Sequence, residues 1–334
     1  MSVPRALAAT SLGLASVLAL AGCATTAAAE KPEAIETPKA TSVTVEDNNG
    51  KHTIDLPLTS VVATDNRTFQ TLSDWGIELT AGAVALMGDD VSYKTDSSII
   101  DLGNHREPNL EAVVAAAPQL IINGQRFADY QDDFETLAPE AVVLNLDPRE
   151  GKPFDEELKR QVTVLGEVFG KQKEAAALVA DFEEAIDRAK KAYNSDETVM
   201  ALITSAGEVG YVAPSAGRTL GPIFDILGLT PALEIPEGSE DHQGDDISVE
   251  AIATANPSWI LVMDRDAVFA ADEPNYVQAS EILEKSEALA GVDAVKGGNI
   301  VYMPTGTYLN EGIQTYTTFL NDFADALEKA AKKK

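Results

Sequence analysis

Two arginines occupy equivalent positions of a repeated segment, and their type and placement suit the recognition of anions. Residues 109–126 read NLEAVVAAAPQLIINGQR, and residues 248–265 read SVEAIATANPSWILVMDR. The two align without a gap, so that Glu111 falls on Glu250, Pro118 on Pro257, Ile121 on Ile260 and Arg126 on Arg265. A third arginine, Arg218, closes a Pro/Gly turn just before a helical stretch. The planar donor fork of arginine fits carboxylates and delocalised oxyanions, and its face stacks on aromatic rings. Three arginines converging from two halves of a chain can therefore hold a bulky aromatic polyanion. Taken singly, each is more simply a structural ion pair; the repeat favours a functional role for Arg126 and Arg265.

Other donors are few. The chain has three histidines. His52 lies beside a hairpin turn and is given no role. His105 sits in the loop before the first repeat helix, where it borders the expected cleft. His242 lies in the polar, Gly-containing loop from Gly238 to Asp245, and Tyr308 follows Thr305-Gly306-Thr307 just past the last strand. On composition alone these last two are solvated loop residues. A phenolate is nonetheless a hard oxygen donor suited to Fe³⁺, and imidazole also serves iron. Tyr308 and His242, from separate loops, could fill two open positions on a partly wrapped ferric ion. The sequence holds no His or Cys set with ligand spacing, no Gly-rich phosphate loop and no G-x-S-x-G elbow. Neither catalysis nor a permanent cofactor is expected.

These residues need elements to position them. In each repeat copy a polar residue, Asn109 or Ser248, caps a short amphipathic helix, a proline stops it, and an apolar β-run follows. A helix feeding a buried parallel strand is half of a βαβ unit. Two copies imply two Rossmann-like α/β lobes with a ligand cleft between them, each lobe offering an arginine at the carboxyl end of a strand, where open α/β sheets bind ligands. Asn49-Gly50 between VTVEDN and KHTIDL predicts a hairpin. Short strands are expected over Ser60–Thr64, Val84–Met87, Glu140–Leu146, Val199–Thr204 and Asn299–Met303, with helices over Thr68–Trp75, Thr219–Leu227, Gln278–Leu289 and Glu311–Lys332. Phe154 to about Asn194 reads as helical, and its Ala-rich part carries Leu178, Phe182, Ile186 and Ala189 on one stripe. One long helix is thus expected to join the lobes as a spine that opposes wide domain swings.

Length and composition agree with this architecture. The 334 residues suffice for two domains, and 45% hydrophobic content suits globular α/β lobes. Arg5 precedes an apolar stretch from Ala6 to Leu20, and Leu20-Ala21-Gly22-Cys23 follows, ending on the chain's single cysteine. That is the layout of a secretory signal. An Ala/Thr/Glu/Pro/Lys stretch then reads as a flexible tether. The expected organisation is a signal peptide over 1–22, a tether over 23–40, a first lobe over 41–165, an interlobe helix over 166–195 and a second lobe over 196–334. A net charge of −29 disfavours nucleic acid and anionic surfaces as partners. Screening within about 8 Å still permits a local basic cleft.

Together these features resemble the ABC-transporter substrate-binding lipoproteins of bacteria that take iron–siderophore complexes, above all their ferric-catecholate branch. The resemblance rests on the tetrapeptide ending at Cys23, which is similar to a lipobox, the hairpin, the two lobes, the helical spine and Glu107-Pro108-Asn109-Leu110-Glu111-Ala112 with its downstream proline and strand. It covers about residues 41–330. It implies lipidation of Cys23, and capture of an Fe(III)–siderophore by a monomer anchored at the outer face of the cell membrane. It also implies ligand contacts from Arg126, Arg218 and Arg265, iron contacts from His242 and Tyr308, and docking on a membrane permease through Glu111 and Glu250. Relative to that branch, Gln125 is one extra residue after the strand, and the segment around Tyr308 is shorter and lacks neighbouring aromatics. The wider family also binds haem and corrinoids; there His242 or Tyr308 would be an axial ligand and the arginines would pair with propionates or a phosphate. Readings from other classes are a secreted hydrolase, for which no nucleophile signature is present, and a surface adhesin.

Overall fold

Apolar runs that are too short to span a lobe as helices become the strands of two sheets in the computed structural model, which describes residues 40–235 and 238–333. Cys23 and the expected signal peptide and tether up to Lys39 lie outside the described residues.

The chain opens with the hairpin β1 (Ser42–Asp47) and β2 (Gly50–Asp55). Its turn is fixed by the Asp47 carboxylate, which accepts from the backbone N–H groups of Asn49 at 2.7 Å and Gly50 at 3.0 Å. His52 Nε2 meets the same oxygen at 2.9 Å, so this histidine belongs to the hairpin. The first lobe continues through β3 (Val61–Ala63), α1 (Phe69–Asp74), β4 (Ala81–Gly82), β5 (Ile100–Asp101), α2 (Leu110–Ala116), β6 (Leu120–Asn123), α3 (Gln131–Leu137) and β7 (Val142–Asn145). These strands form a parallel sheet in the order β5-β4-β3-β6-β7.

Two helices, α4 (Phe154–Phe169) and α5 (Gln172–Ala192), then carry the chain to the second lobe. It contains β8 (Thr198–Ser205), β9 (Glu208–Val212), α6 (Gly221–Leu227), β10 (Thr230–Pro231), β11 (Asp245–Asp246), α7 (Val249–Ala255), β12 (Trp259–Asp264), α8 (Ala279–Glu284), α9 (Asp293–Gly297), β13 (Ile300–Tyr302) and α10 (Ile313–Ala331). The second sheet runs β11-β9-β8-β12-β13, with β10 beside β8. β8, β12 and β13 are parallel, while β9 and β11 add an antiparallel edge.

The repeat is structural. The Asn109 side chain accepts from Ala112 N, and that of Ser248 from Ala251 N, each at 3.1 Å. Both helices end on a left-handed residue, Ala117 at φ 43° and Asn256 at φ 45°, and each precedes its proline. The strands that follow, β6 and β12, are buried along almost their whole length.

Three expectations change. Val84–Met87 is not a strand: β4 ends at Gly82, and a 3₁₀ turn over Val84–Leu86 follows, closed by Leu86 N donating to Ala83 O at 2.8 Å. A short apolar run signals burial without fixing the backbone, and Leu86 and Met87 are indeed buried. The expected interlobe helix over 166–195 is shorter: residues 166–169 end α4, Gly170 at φ +66° caps it in the left-handed region, and α5 runs from Gln172 to Ala192. The last helix begins at Ile313, which leaves Glu311 before it in the interior.

The helix α5 buries Ala175, Phe182, Ala185, Ile186 and Ala189. Arg188 on its other side reaches Glu328 of α10 at 3.0 Å and also pairs with Asp325. One continuous apolar cluster joins the first sheet, α4, α5, α10 and one face of the second sheet. A shared core of this kind resists independent motion of the lobes, because sliding them would expose its side chains.

Candidate functional site

The carboxyl ends of the central strands converge on one cleft, as open parallel sheets require. Arg126 follows β6 after Gly124 and Gln125, whereas Arg265 follows β12 directly. β12 is longer at its end, so the gap-free alignment of the two copies still brings both arginines to one place. Arg218 comes from the turn before α6, and Tyr308 from a 3₁₀ turn after β13.

The three arginines surround Tyr308. Their guanidinium carbons lie 5.5 Å (Arg126), 5.0 Å (Arg218) and 4.9 Å (Arg265) from the centre of its ring. Arg126 Nη2 also donates to Tyr308 Oη at 2.9 Å. Phe269 packs edge-on against the ring at 5.4 Å and lies under Arg265 at 5.8 Å. The aromatic neighbour missing from the sequence around Tyr308 thus arrives from the segment after Arg265. Burial pushes the Tyr308 phenol up, but the adjacent Arg265, Arg126 and Arg218 outweigh it and hold the phenol below its ordinary value. A ring surrounded by guanidinium groups is a stacking platform whose phenol loses its proton more easily than a free one.

A cavity of about 490 Å³ opens on this cluster. Arg106, Arg126, Arg265, His105, His242 and Tyr308 line it, with Leu86 and Phe269 as its apolar part and no carboxylate among the lining residues. His242 is exposed on its loop, with Nδ1 4.0 Å from Asp241. The structure therefore brings together Arg126, Arg218, Arg265, Tyr308 and His242, with His105 on the border. It places Glu111 and Glu250 elsewhere: both are exposed, in the first turns of α2 and α7.

Sequence reasoning missed the charges behind this cavity. Glu311 is buried and pairs in two-pronged fashion with Arg218, Nε to Oε1 and Nη2 to Oε2 each at 3.1 Å. Thr219 Oγ1 also donates to it. Burial alone would raise its carboxyl, yet Arg218 and Arg67 hold it below the usual range. Arg67 Nη1 binds Asp147 at 3.0 Å, and Gln161 Nε2 donates to Asp65 at 2.8 Å. Asp65 is pushed up to about 7 by burial and then by the nearby Asp147. A second cavity of about 460 Å³ borders these groups, lined by Arg67, Gln125, Asp147, Arg218 and Glu311 among others. Gly124 is required here: a Cβ would come within 2.8 Å of Asp147 Oδ1 and 2.9 Å of Asp65 Oδ2. A signal was present in Asp65-Asn66-Arg67, a polar run directly after the buried β3. Phe269 and Glu311 gave none.

Such a site can bind a large, aromatic or delocalised anion. Among the described residues no three His, Cys, Asp or Glu side chains are grouped to hold a metal ion. No helix among them is long and apolar enough to cross a membrane.

The family model described as periplasmic binding protein matches residues 61–306. The chain is 25% identical over 288 residues to the petrobactin-binding protein YclQ of Bacillus subtilis, covering 85% of this chain and 86% of that protein. It is 28% identical over 256 residues to the ferric-anguibactin-binding protein FatB of Vibrio anguillarum, covering 76% and 77%. The crystal structure of YclQ superposes with a TM-score of 0.72 at 22% identity, covering 86% of this chain and 99% of the other. The periplasmic catecholate-siderophore binding protein VctP from Vibrio cholerae superposes at 0.71 with 20% identity, covering 84% and 99%.

Proposed function

The chain belongs to the periplasmic binding protein family, and from that premise we propose that it is the substrate-binding protein of an ABC importer, capturing an Fe(III)–siderophore of catecholate type for a membrane permease. The observation that carries this reading is the ring of Arg126, Arg218 and Arg265 around Tyr308, set in a chain of net charge −29. A protein so acidic repels small anions in general, so a cavity lined by cations and free of carboxylates is a selective feature. A ferric tris-catecholate has the matching properties: it is large, anionic and faced with aromatic rings. The guanidinium groups donate to its catecholate oxygens and stack on its rings. Arg218 shares one edge of its fork with Glu311 and works from behind Tyr308.

His242 and Tyr308 are the side chains that can occupy iron positions left open by a tetradentate siderophore. The depressed phenol of Tyr308 favours this, because the phenolate is the form that binds Fe³⁺. Glu111 and Glu250, exposed at matching places on the two repeat helices, are suited to present the loaded protein to basic residues of the permease. Acylation at Cys23 would hold a monomer at the outer face of the membrane. Function is by binding and release, with no chemical step and no resident cofactor.

The test is a fluorescence titration of the protein with a ferric tris-catecholate, a ferric trihydroxamate, ferric citrate and haemin. Saturable quenching by the catecholate at far lower concentration than by the hydroxamate is the expected result. Selective, saturable binding of haemin, with a shifted haem absorbance band, would overturn it in favour of a haem carrier.

A further inference from the structure

We infer that Arg106 is a further anion-binding residue of this cavity, and that with Arg126 it makes the first-lobe wall the one that reads ligand charge. The inference rests on the reading of the cavity as a site for an anionic ferric chelate. Its basis is a difference among the arginines. Arg218 is bound to the Glu311 carboxylate through two nitrogens, and Arg265 Nη1 is bound to Asp266 Oδ1 at 3.1 Å and Ser205 Oγ at 3.0 Å. Each of these second-lobe cations is therefore locally neutralised. Among the described residues Arg126 has only the phenol of Tyr308 as a hydrogen-bond partner, and the Arg106 side chain makes no hydrogen bond or ion pair.

Arg106 is nonetheless held in place at its backbone. Its loop is closed at the base by Leu102 N donating to Gly82 O at 3.0 Å and Asn109 N donating to Leu102 O at 2.6 Å. Within the loop, Asn104 Oδ1 accepts from Arg106 N at 2.7 Å and Glu107 N at 3.2 Å. A fixed backbone thus delivers an exposed, uncompensated guanidinium to the cavity mouth, with His105 beside it. An arginine already paired with a carboxylate offers an arriving anion hydrogen bonds but little net attraction. An unpaired one offers both, and in a chain this acidic the unpaired pair decides the sign of the local field.

The test compares the wild type with R106Q and with the double variant R265Q/D266N, which removes a second-lobe pair without changing net charge. Each is titrated with a trianionic synthetic ferric tris-catecholamide at low and at high salt. R106Q should bind about tenfold more weakly at low salt, with a visibly flatter salt dependence. The double variant should keep the wild-type salt dependence even where its affinity falls. Because Arg106 is exposed, R106Q should unfold at the wild-type temperature. An R106Q protein matching wild type in both affinity and salt dependence overturns this inference alone. A wild type that fails to bind the trianion at all overturns the reading of the cavity, and this inference with it.

Discussion

The two walls of the cleft are built from the same repeated unit but end in different electrostatics. On the first lobe Arg106 and Arg126 have no carboxylate partner among the described residues. On the second, Arg218 and Arg265 are each tied to one. An ion pair fixes the direction of a guanidinium while cancelling its charge; a free guanidinium keeps its charge and is less constrained. On the proposed reading the fold divides the work, with attraction on one wall and orientation on the other. Tyr308 joins them, because its ring touches arginines from both sides.

Removing the anchor of the second wall should have the largest effect. Glu311 is buried between Arg218 and Arg67, and Gln125 of the first lobe lies 3.5 Å away. Glu311→Gln leaves the largely buried Arg218 without its carboxylate and Arg67 with Asp147 alone, which costs about 3 kcal/mol, the lower end of the range for broken buried pairs. Urea denaturation measures it. A loss below about 1 kcal/mol would mean that Arg218 is held by other contacts and that the second wall is no more fixed than the first.

A pH-dependent effect is expected from the carboxylates behind the first wall. Folded Asp65 keeps its proton up to about 7, whereas a free aspartate loses it near 3.8. Between these values the folded chain binds more protons than the unfolded one, so Asp65 lowers stability as pH rises through that window. Above it the penalty is constant. Asp65→Asn has no proton to lose and keeps a group that can face Gln161. Its stability relative to wild type should rise between about pH 4 and about pH 7 and then level off. Denaturation curves that stay parallel across this range would place Asp65 outside the coupled network and leave the first wall without a titrating support.

The contrast between the walls was only half legible in the sequence. The repeat disclosed Arg126 and Arg265 because a gap-free alignment of helix, proline and strand ties each arginine to a strand end, and the caps at Asn109 and Ser248 are local interactions that a sequence states directly. Arg218 and Tyr308 came from resemblance more than from spacing. What decides which arginine is neutralised is not local: Glu311 reaches Arg218 across 93 positions of sequence, and Arg67 meets Asp147 across 80. No periodicity encodes such pairs. Glu311 read as the start of the terminal helix, and only the later start of α10 places it inside. Val84–Met87 read as a strand because burial and backbone type are confounded in a short apolar run. Arg106 was passed over beside His105, since nothing in a loop sequence says whether its cation is paired.

A change at the shared platform should weaken one wall selectively. Tyr308→Phe keeps the ring that all three arginines touch but removes the only side-chain acceptor of Arg126 among the described residues. Loss of one such bond costs roughly 1–1.5 kcal/mol. The expected phenotype is a small drop in stability, together with a larger loss of affinity for a trianionic chelate than for a neutral one. If Tyr308 also ligates iron, the visible charge-transfer band of a bound tetradentate ferric chelate shifts in this variant; an unshifted band assigns the phenol to holding Arg126 alone.

The smallest effects should be equal, and that equality tests whether the walls differ only at their charged tips. Asn109→Ala and Ser248→Ala each remove one side-chain cap, and both caps close on the third residue onward at 3.1 Å. Each substitution should cost about 1 kcal/mol, within the range of roughly 0.5–2 seen for such caps. Thermal denaturation of the two single variants and of the double variant gives the comparison. The sites sit on helices of different lobes with no partner in common, so the losses should add. A markedly greater cost at Asn109 would show that the loop closed by Asn109 N on Leu102 O shares its stability with α2, and hence that the position of Arg106 depends on the repeat helix as well as on Asn104.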